Sequence, residues 1–99
     1  MKYLVWISDV TKNTAEVIGA LQSQDVEVDV LLLQDGVFMA DKGNENSSLL
    51  KKLGVGIHAL ESHVKERGIS NRLVEGVKLV NYRKMLELIM EKSDKVFSI

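Results

Sequence analysis

Residues 28–33, Val-Asp-Val-Leu-Leu-Leu, begin as alternating apolar and polar side chains, finish as an unbroken aliphatic run, and stop at Gln34-Asp35-Gly36. A strand with one face in water alternates, whereas a strand covered on both faces reads as continuous aliphatic residues. The segment therefore predicts a strand over 26–34 in the middle of a sheet, with its C-terminal end the more interior one. Asp35 and Gly36 have ordinary work there, as a helix cap and a permissive turn. At an interior strand end they also face a stricter demand, because buried polar groups must find partners in another loop, a ligand or another chain.

The remaining elements follow the same reading. Tyr3-Leu4-Val5-Trp6-Ile7 is β-branched and aromatic and stops at Ser8-Asp9, which predicts a first strand rather than a signal peptide. Asn13 and Glu16 have capping-box spacing ahead of Ala15, Val17, Ile18 and Leu21, so a helix is expected over 14–24. Val37-Phe38-Met39-Ala40 opens a second helix, interrupted by a polar surface loop at 41–46. Asn46 or Ser47 is expected to cap a short helix carrying Leu49, Leu50 and Leu53, with Gly54 as its left-handed end.

Residues 55–60 form the third predicted strand and 62–67 one or two helical turns closed by Gly68. An irregular connection follows, then a strand over 77–80. Asn81 is placed to cap a long helix whose apolar face is read as Tyr82, Met85, Leu86, Ile89 and Met90, with Arg83, Lys84, Glu87 and Glu91 outward. Residues 95–99 close the chain as an edge strand. Strands alternating with helices imply an α/β fold, doubly wound, with a mostly parallel five-stranded sheet and helices on both faces. Ligand sites in such folds collect beyond the carboxyl ends of the strands. The candidates are therefore Ser8-Asp9, Gln34-Asp35-Gly36, Leu60-Glu61-Ser62 and Asn81.

A chain of 99 residues is expected to be a single domain, 1–99, with a modest core. Hydrophobic residues make up 45 %, which favours self-association or a partner subunit. The formal charge of −1, with lysines interleaved among acids, leaves no electrostatic footprint for direct nucleic-acid binding. No apolar run reaches the roughly 20 residues that a membrane span needs, so a soluble, cytoplasmic protein without a membrane partner is expected. The chain contains no cysteine, which excludes disulfides, thiolate metal sites and any persulfide carried by the chain itself.

Two constellations could carry chemistry. The hydroxyl-rich stretch Ser8-Asp9-Val10-Thr11-Lys12-Asn13-Thr14 is similar to the phosphate loop of flavodoxins, although Lys12 stands where that loop usually has glycine. A small flavin- or phosphate-binding module is therefore the alternative reading. His58 and His63 are the only histidines, and no third ligand lies near them in sequence. No nucleophile elbow, Walker loop or dinucleotide fingerprint is present. No catalytic residue, metal site or cofactor is assigned.

Three segments carry a family resemblance: Leu31-Leu32-Leu33-Gln34-Asp35-Gly36-Val37; Ile57-His58-Ala59-Leu60-Glu61-Ser62-His63 running on to Arg67-Gly68-Ile69; and Val77-Lys78-Leu79-Val80-Asn81-Tyr82 followed by Met85-Leu86-Glu87-Leu88. In this order and spacing the chain resembles the DsrE/DsrF/DsrH superfamily, most closely the DsrH/TusB branch. The resemblance implies a small α/β subunit of a homo-oligomeric or hetero-oligomeric sulfur-relay complex, with DsrE/DsrF (TusD/TusC)-like partners. Such complexes pass persulfide sulfur toward 2-thiolation of a tRNA wobble uridine or serve sulfur oxidation. The family's sulfur-carrying cysteine, where present, corresponds approximately to Leu60 here. The resemblance therefore implies a non-catalytic subunit, with Gln34, Asp35 and Gly36 at the floor of a pocket or interface and Ser62 and His63 at its rim.

Overall fold

The structure is a computed structural model in which residues 1–9 and 14–99 are described. Its elements run β1 (Lys2–Ile7), α1 (Thr14–Gln22), β2 (Glu27–Leu32), a 3-10 helix (Gln34–Ala40), α2 (Glu45–Lys52), β3 (Gly56–Leu60), α3 (Glu61–Glu66), β4 (Lys78–Val80), α4 (Tyr82–Met90) and β5 (Lys95–Ser98). The five strands form one sheet in the order β4-β3-β2-β1-β5. Every neighbouring pair is parallel, so the α/β expectation holds and the sheet is parallel throughout. The aliphatic run at 28–33 occupies the middle of this sheet, flanked on both sides by hydrogen-bonded strands.

Strand alternation sorts the core into two layers. Tyr3, Val5, Ile7, Val28, Val30, Leu32, Ile57 and Ala59 face one way. They pack with Ile18 of α1, Val37 and Met39 of the 3-10 helix, Leu50 of α2 and Val64 of α3. Leu4, Leu31, Leu33, Leu60 and Val80 face the other way and meet Leu88, with Met85 and Ile89 packed alongside. Among the described residues α4 is the only helix on that second face. Helices lie on both faces as expected, but unevenly, and this asymmetry positions the features described below.

α4 corrects the expected helix face. Met85, Leu88 and Ile89 turn toward the sheet, whereas Tyr82, Leu86 and Met90 are 58 %, 52 % and 77 % exposed. At 100° per residue, positions 82, 86 and 90 form one stripe and 85, 88 and 89 another. A helix packed on a sheet from one side buries one stripe, and among the described residues no further element covers the other.

Element ends also differ in detail. The central strand stops at Leu32, two residues before the expected end, and Gln34 enters the left-handed region with φ +49°. The expected second helix is a 3-10 helix of seven residues. Its Gly36 lies directly against the end of β1, where an added Cβ would collide with the Ile7 carbonyl oxygen and sit 2.8 Å from the carbonyl carbon. That carbonyl already accepts the Leu33 N–H at 2.9 Å, so the glycine lets the chain turn while staying pressed on the last rung of the ladder.

The cap of α2 is Asn44, whose Oδ1 accepts the Asn46 N–H at 2.8 Å, while the Ser47 hydroxyl donates to the Asn44 carbonyl. Asn81 caps α4 as expected, accepting the Lys84 N–H at 2.8 Å. Gly54 and Gly68 adopt φ +71° and +68°, the left-handed ends foreseen for α2 and α3. The capping role expected of Asn13 lies outside the described residues. Among the described residues no helix is long and apolar enough to cross a membrane.

Candidate functional site

At the carboxyl ends of the strands the second face opens into a cleft of about 310 Å³. The uneven helix coverage creates it, because α4 starts at this edge and, among the described residues, no other helix lies on this face beside the ends of β1 and β5. Trp6, Leu33, Leu60 and Met85 give the cleft apolar walls. Ser8, Gln34, His63, Tyr82 and Ser98 supply its polar groups. They come from the ends of β1 and β5, the exit of β2, α3 and the start of α4.

His63 is the most constrained of these groups. α3 begins directly after β3, with Leu60 at its N-cap position, so residue 63 falls in its first turn. The left-handed backbone at Gln34 accompanies an N–H that donates to His63 Nδ1 at 2.8 Å. A ring nitrogen that accepts a backbone N–H carries no proton, so the neutral imidazole holds its proton on Nε2. The ring also meets Tyr82 edge-on, with centroids 6.5 Å apart and planes at 87°. His63 thus has a fixed tautomer with a remaining N–H donor, in a wall that is otherwise largely apolar. This arrangement suits an acceptor with spare electron pairs, such as a carboxylate, a thiolate or the terminal sulfur of a persulfide.

The residues expected to form the site divide into two groups. Gln34, Leu60 and His63 line the cleft together. Asp35 turns away, and its Oδ1 accepts from Arg67 Nε at 3.0 Å, tying the 3-10 helix to the end of α3. Gly36 is buried against β1 and acts through backbone packing. Ser62 has a buried hydroxyl with no hydrogen-bond partner and is absent from the cleft wall. Of the hydroxyl-rich loop, Ser8 reaches the cleft, while residues 10–13 lie outside the described residues.

The two histidines do not meet. His58 points to the second face from the middle of β3, where its Nε2 lies 3.4 Å from Asp29 Oδ2. Lys2 Nζ approaches the same carboxylate oxygen at 2.9 Å. Burial alone would raise the Asp29 carboxyl, but hydrogen bonds from His58 and Lys2 and the charge of Lys2 outweigh it and hold the pKa down to about 2. This cluster lies apart from the cleft, whose lining includes neither His58 nor Asp29. Among the described residues no three His, Asp, Glu or Cys side chains are grouped to hold a metal ion.

Trp6, Leu33, Tyr82, Met85 and Ser98 are cleft residues that the sequence reading did not single out. Strand alternation carried part of the signal, since Trp6 falls on the side opposite Val5 and Ile7. Which of the two sides is thinly covered is a tertiary fact.

The sequence profile of a family described as DsrH like protein matches residues 8–95. A relative named Protein TusB from Photorhabdus laumondii subsp. laumondii is 29 % identical over 63 residues, spanning 64 % of this chain and 66 % of its own length. Another Protein TusB, from Yersinia pestis (strain Pestoides F), is 31 % identical over 70 residues, spanning 71 % and 74 %. The crystal structure of the ychN protein from E. coli superposes with a TM-score of 0.79 at 19 % identity, covering 100 % of both chains. MTH1491 from Methanobacterium thermoautotrophicum, described as a protein of unknown function, gives 0.84 at 17 % identity over 99 % of this chain and 98 % of that one. At these identities the two structures share the fold.

Proposed function

The chain belongs to the DsrH family, and from that premise we propose that it is a non-catalytic subunit of an oligomeric sulfur-relay complex, supporting persulfide transfer that a cysteine-bearing partner carries out. The observation that carries this reading is Leu60. At the position where the family resemblance implies the sulfur-carrying cysteine, this chain has a buried leucine in the wall of the strand-end cleft. Leucine neither ionises nor forms a persulfide, and the chain contains no cysteine to replace it.

The role left to the subunit is recognition. The cleft has apolar walls for a sulfur-bearing side chain and the His63 Nε2–H to stabilise a thiolate or persulfide anion. The uncovered stripe Tyr82, Leu86 and Met90 begins at the cleft mouth and gives a partner apolar area to bury. On this reading the partners are DsrE- or DsrF-like (TusD- or TusC-like) subunits in the cytoplasm. The sulfur goes to tRNA wobble-uridine 2-thiolation or to a sulfur-oxidation pathway.

The test is co-expression with cysteine-bearing DsrE- and DsrF-like subunits, followed by native mass spectrometry and radiolabelled sulfur transfer. The expected result is a stoichiometric complex in which omission of this chain abolishes transfer while the label stays on a partner's cysteine. Failure to assemble with any such subunit, or unchanged transfer without this chain, would remove the reading.

A further inference from the structure

A second depression on the same face runs along α4, from Lys84 in its first turn to Lys92 past its end, with a volume of about 410 Å³. Lys84 and Leu88, four residues apart, lie along one side of α4, and Lys92 follows just past its C-terminal end. Across from them stand Lys2 of β1 and Lys78 of β4, with Val80 and Leu88 as apolar wall. Four ammonium groups therefore share one groove in a chain whose formal charge is −1.

Acids pair directly with two of them. Lys2 is paired with Asp29 at 2.9 Å, and Lys84 with Glu87 at 3.6 Å. Glu27 and Asp94 lie near the Lys2 end, where Asp94 accepts the Lys2 backbone N–H at 2.7 Å. No ion pair is formed by Lys78 or Lys92 among the described residues. His58 is a second, independent sign. It lines the same groove with a side chain only 9 % exposed, its Nε2 faces Asp29, and its buried Nδ1 has no hydrogen-bond partner. Buried polar atoms are ordinarily paired, so an orphaned one calls for a cause, of which a bound group nearby is one.

We propose that this groove is a binding site for a small tetrahedral oxyanion, held by Lys78 and Lys92 with Lys2 and Lys84 behind them and His58 in its wall. Lysines act as point charges toward such groups, and partial enclosure against Val80 and Leu88 strengthens the attraction relative to open water. Phosphate and sulfur oxyanions share this chemistry. The inference rests on the groove alone and stands or falls separately from the sulfur-relay reading.

The experiment is an NMR titration of the full chain with inorganic phosphate and, separately, with thiosulfate, at fixed ionic strength against sodium chloride. The expected result is saturable shifts at the amides of Lys78, Lys84 and Lys92 and at the His58 ring nitrogens, with half-saturation below about 10 mM. The double variant Lys78→Glu/Lys92→Glu, altered at two exposed sites, should keep the native spectrum elsewhere and weaken binding at least about tenfold. Saturation by thiosulfate alone assigns a sulfur oxyanion, by phosphate alone a phosphate, and by both a general tetrahedral-anion site. Shifts that stay linear in concentration, match the chloride control or survive the double charge reversal would overturn the proposal.

Discussion

His63 Nδ1 accepts the backbone N–H of Gln34 at 2.8 Å, joining the exit of the central strand to the helix that follows β3. The bond fixes the ring's tautomer and its position in the cleft. His63→Ala should lower stability by about 1 kcal/mol, since one partly exposed N–H loses its protein partner. Sulfur transfer in the reconstituted complex should fall about tenfold or more if the Nε2–H stabilises a sulfur anion. Native mass spectrometry should show the assembly intact. Equal losses of complex and transfer would mean that His63 serves assembly alone.

Gly36 is expected to be the least replaceable residue of the strand-end turn. An alanine Cβ there would collide with the Ile7 carbonyl, which is backbone already engaged by Leu33. Gly36→Ala should cost about 3 kcal/mol in urea denaturation, because the turn must lift away from β1. A loss below about 0.5 kcal/mol would show that the 3-10 helix shifts freely.

Asp29 should make acid stability measurable at one residue. Its carboxyl is held at about 2 against the ordinary 3.8, so its stabilising contribution is full above pH 3.8 and is lost as pH falls through about 2. With partial solvent screening the contribution is about 1–2 kcal/mol. Asp29→Asn should remove that part of the loss between pH 4 and 2 in urea midpoints measured across the range. An unchanged acid limb would show that the pairing with Lys2 and His58 is not maintained in solution.

The two stripes of α4 should respond oppositely. Leu88→Ala opens a cavity in the thinly covered face, where Leu88 meets Leu31 and Leu60, and should cost about 3 kcal/mol by thermal or urea unfolding. Leu86→Glu, at a 52 % exposed position, should change stability by less than about 0.5 kcal/mol while weakening association with partner subunits. Loss of folding by Leu86→Glu with unchanged association would reverse the assignment of the stripes.

Much of the fold was legible in order along the chain. The aliphatic run at 28–33 announced the central strand, the β-branched and aromatic residues 3–7 and the mostly apolar stretch 55–60 announced its neighbours, and Gly54, Gly68 and Asn81 marked helix ends through local backbone chemistry. These features depend on residues a few positions apart, which is what periodicity and capping record. The missing cysteine is likewise a statement of sequence alone, and it leaves these 99 residues without a thiol to form a persulfide.

Only the tertiary structure decided which face of the sheet is thinly covered, and the site depends on that. Both stripes of α4 are apolar, so its sequence fitted either as the buried one; packing selected Met85, Leu88 and Ile89 and left Tyr82, Leu86 and Met90 in solvent. Gln34, Asp35 and Gly36 are consecutive in sequence, yet they went to His63, Arg67 and the Ile7 carbonyl in turn. His58 and His63, five residues apart, ended in separate places, one in mid-strand beside Asp29 and one in the cleft. Partners such as these lie 29 or 32 residues away in the chain, and no local pattern encodes which distant group a turn will bring within hydrogen-bond reach.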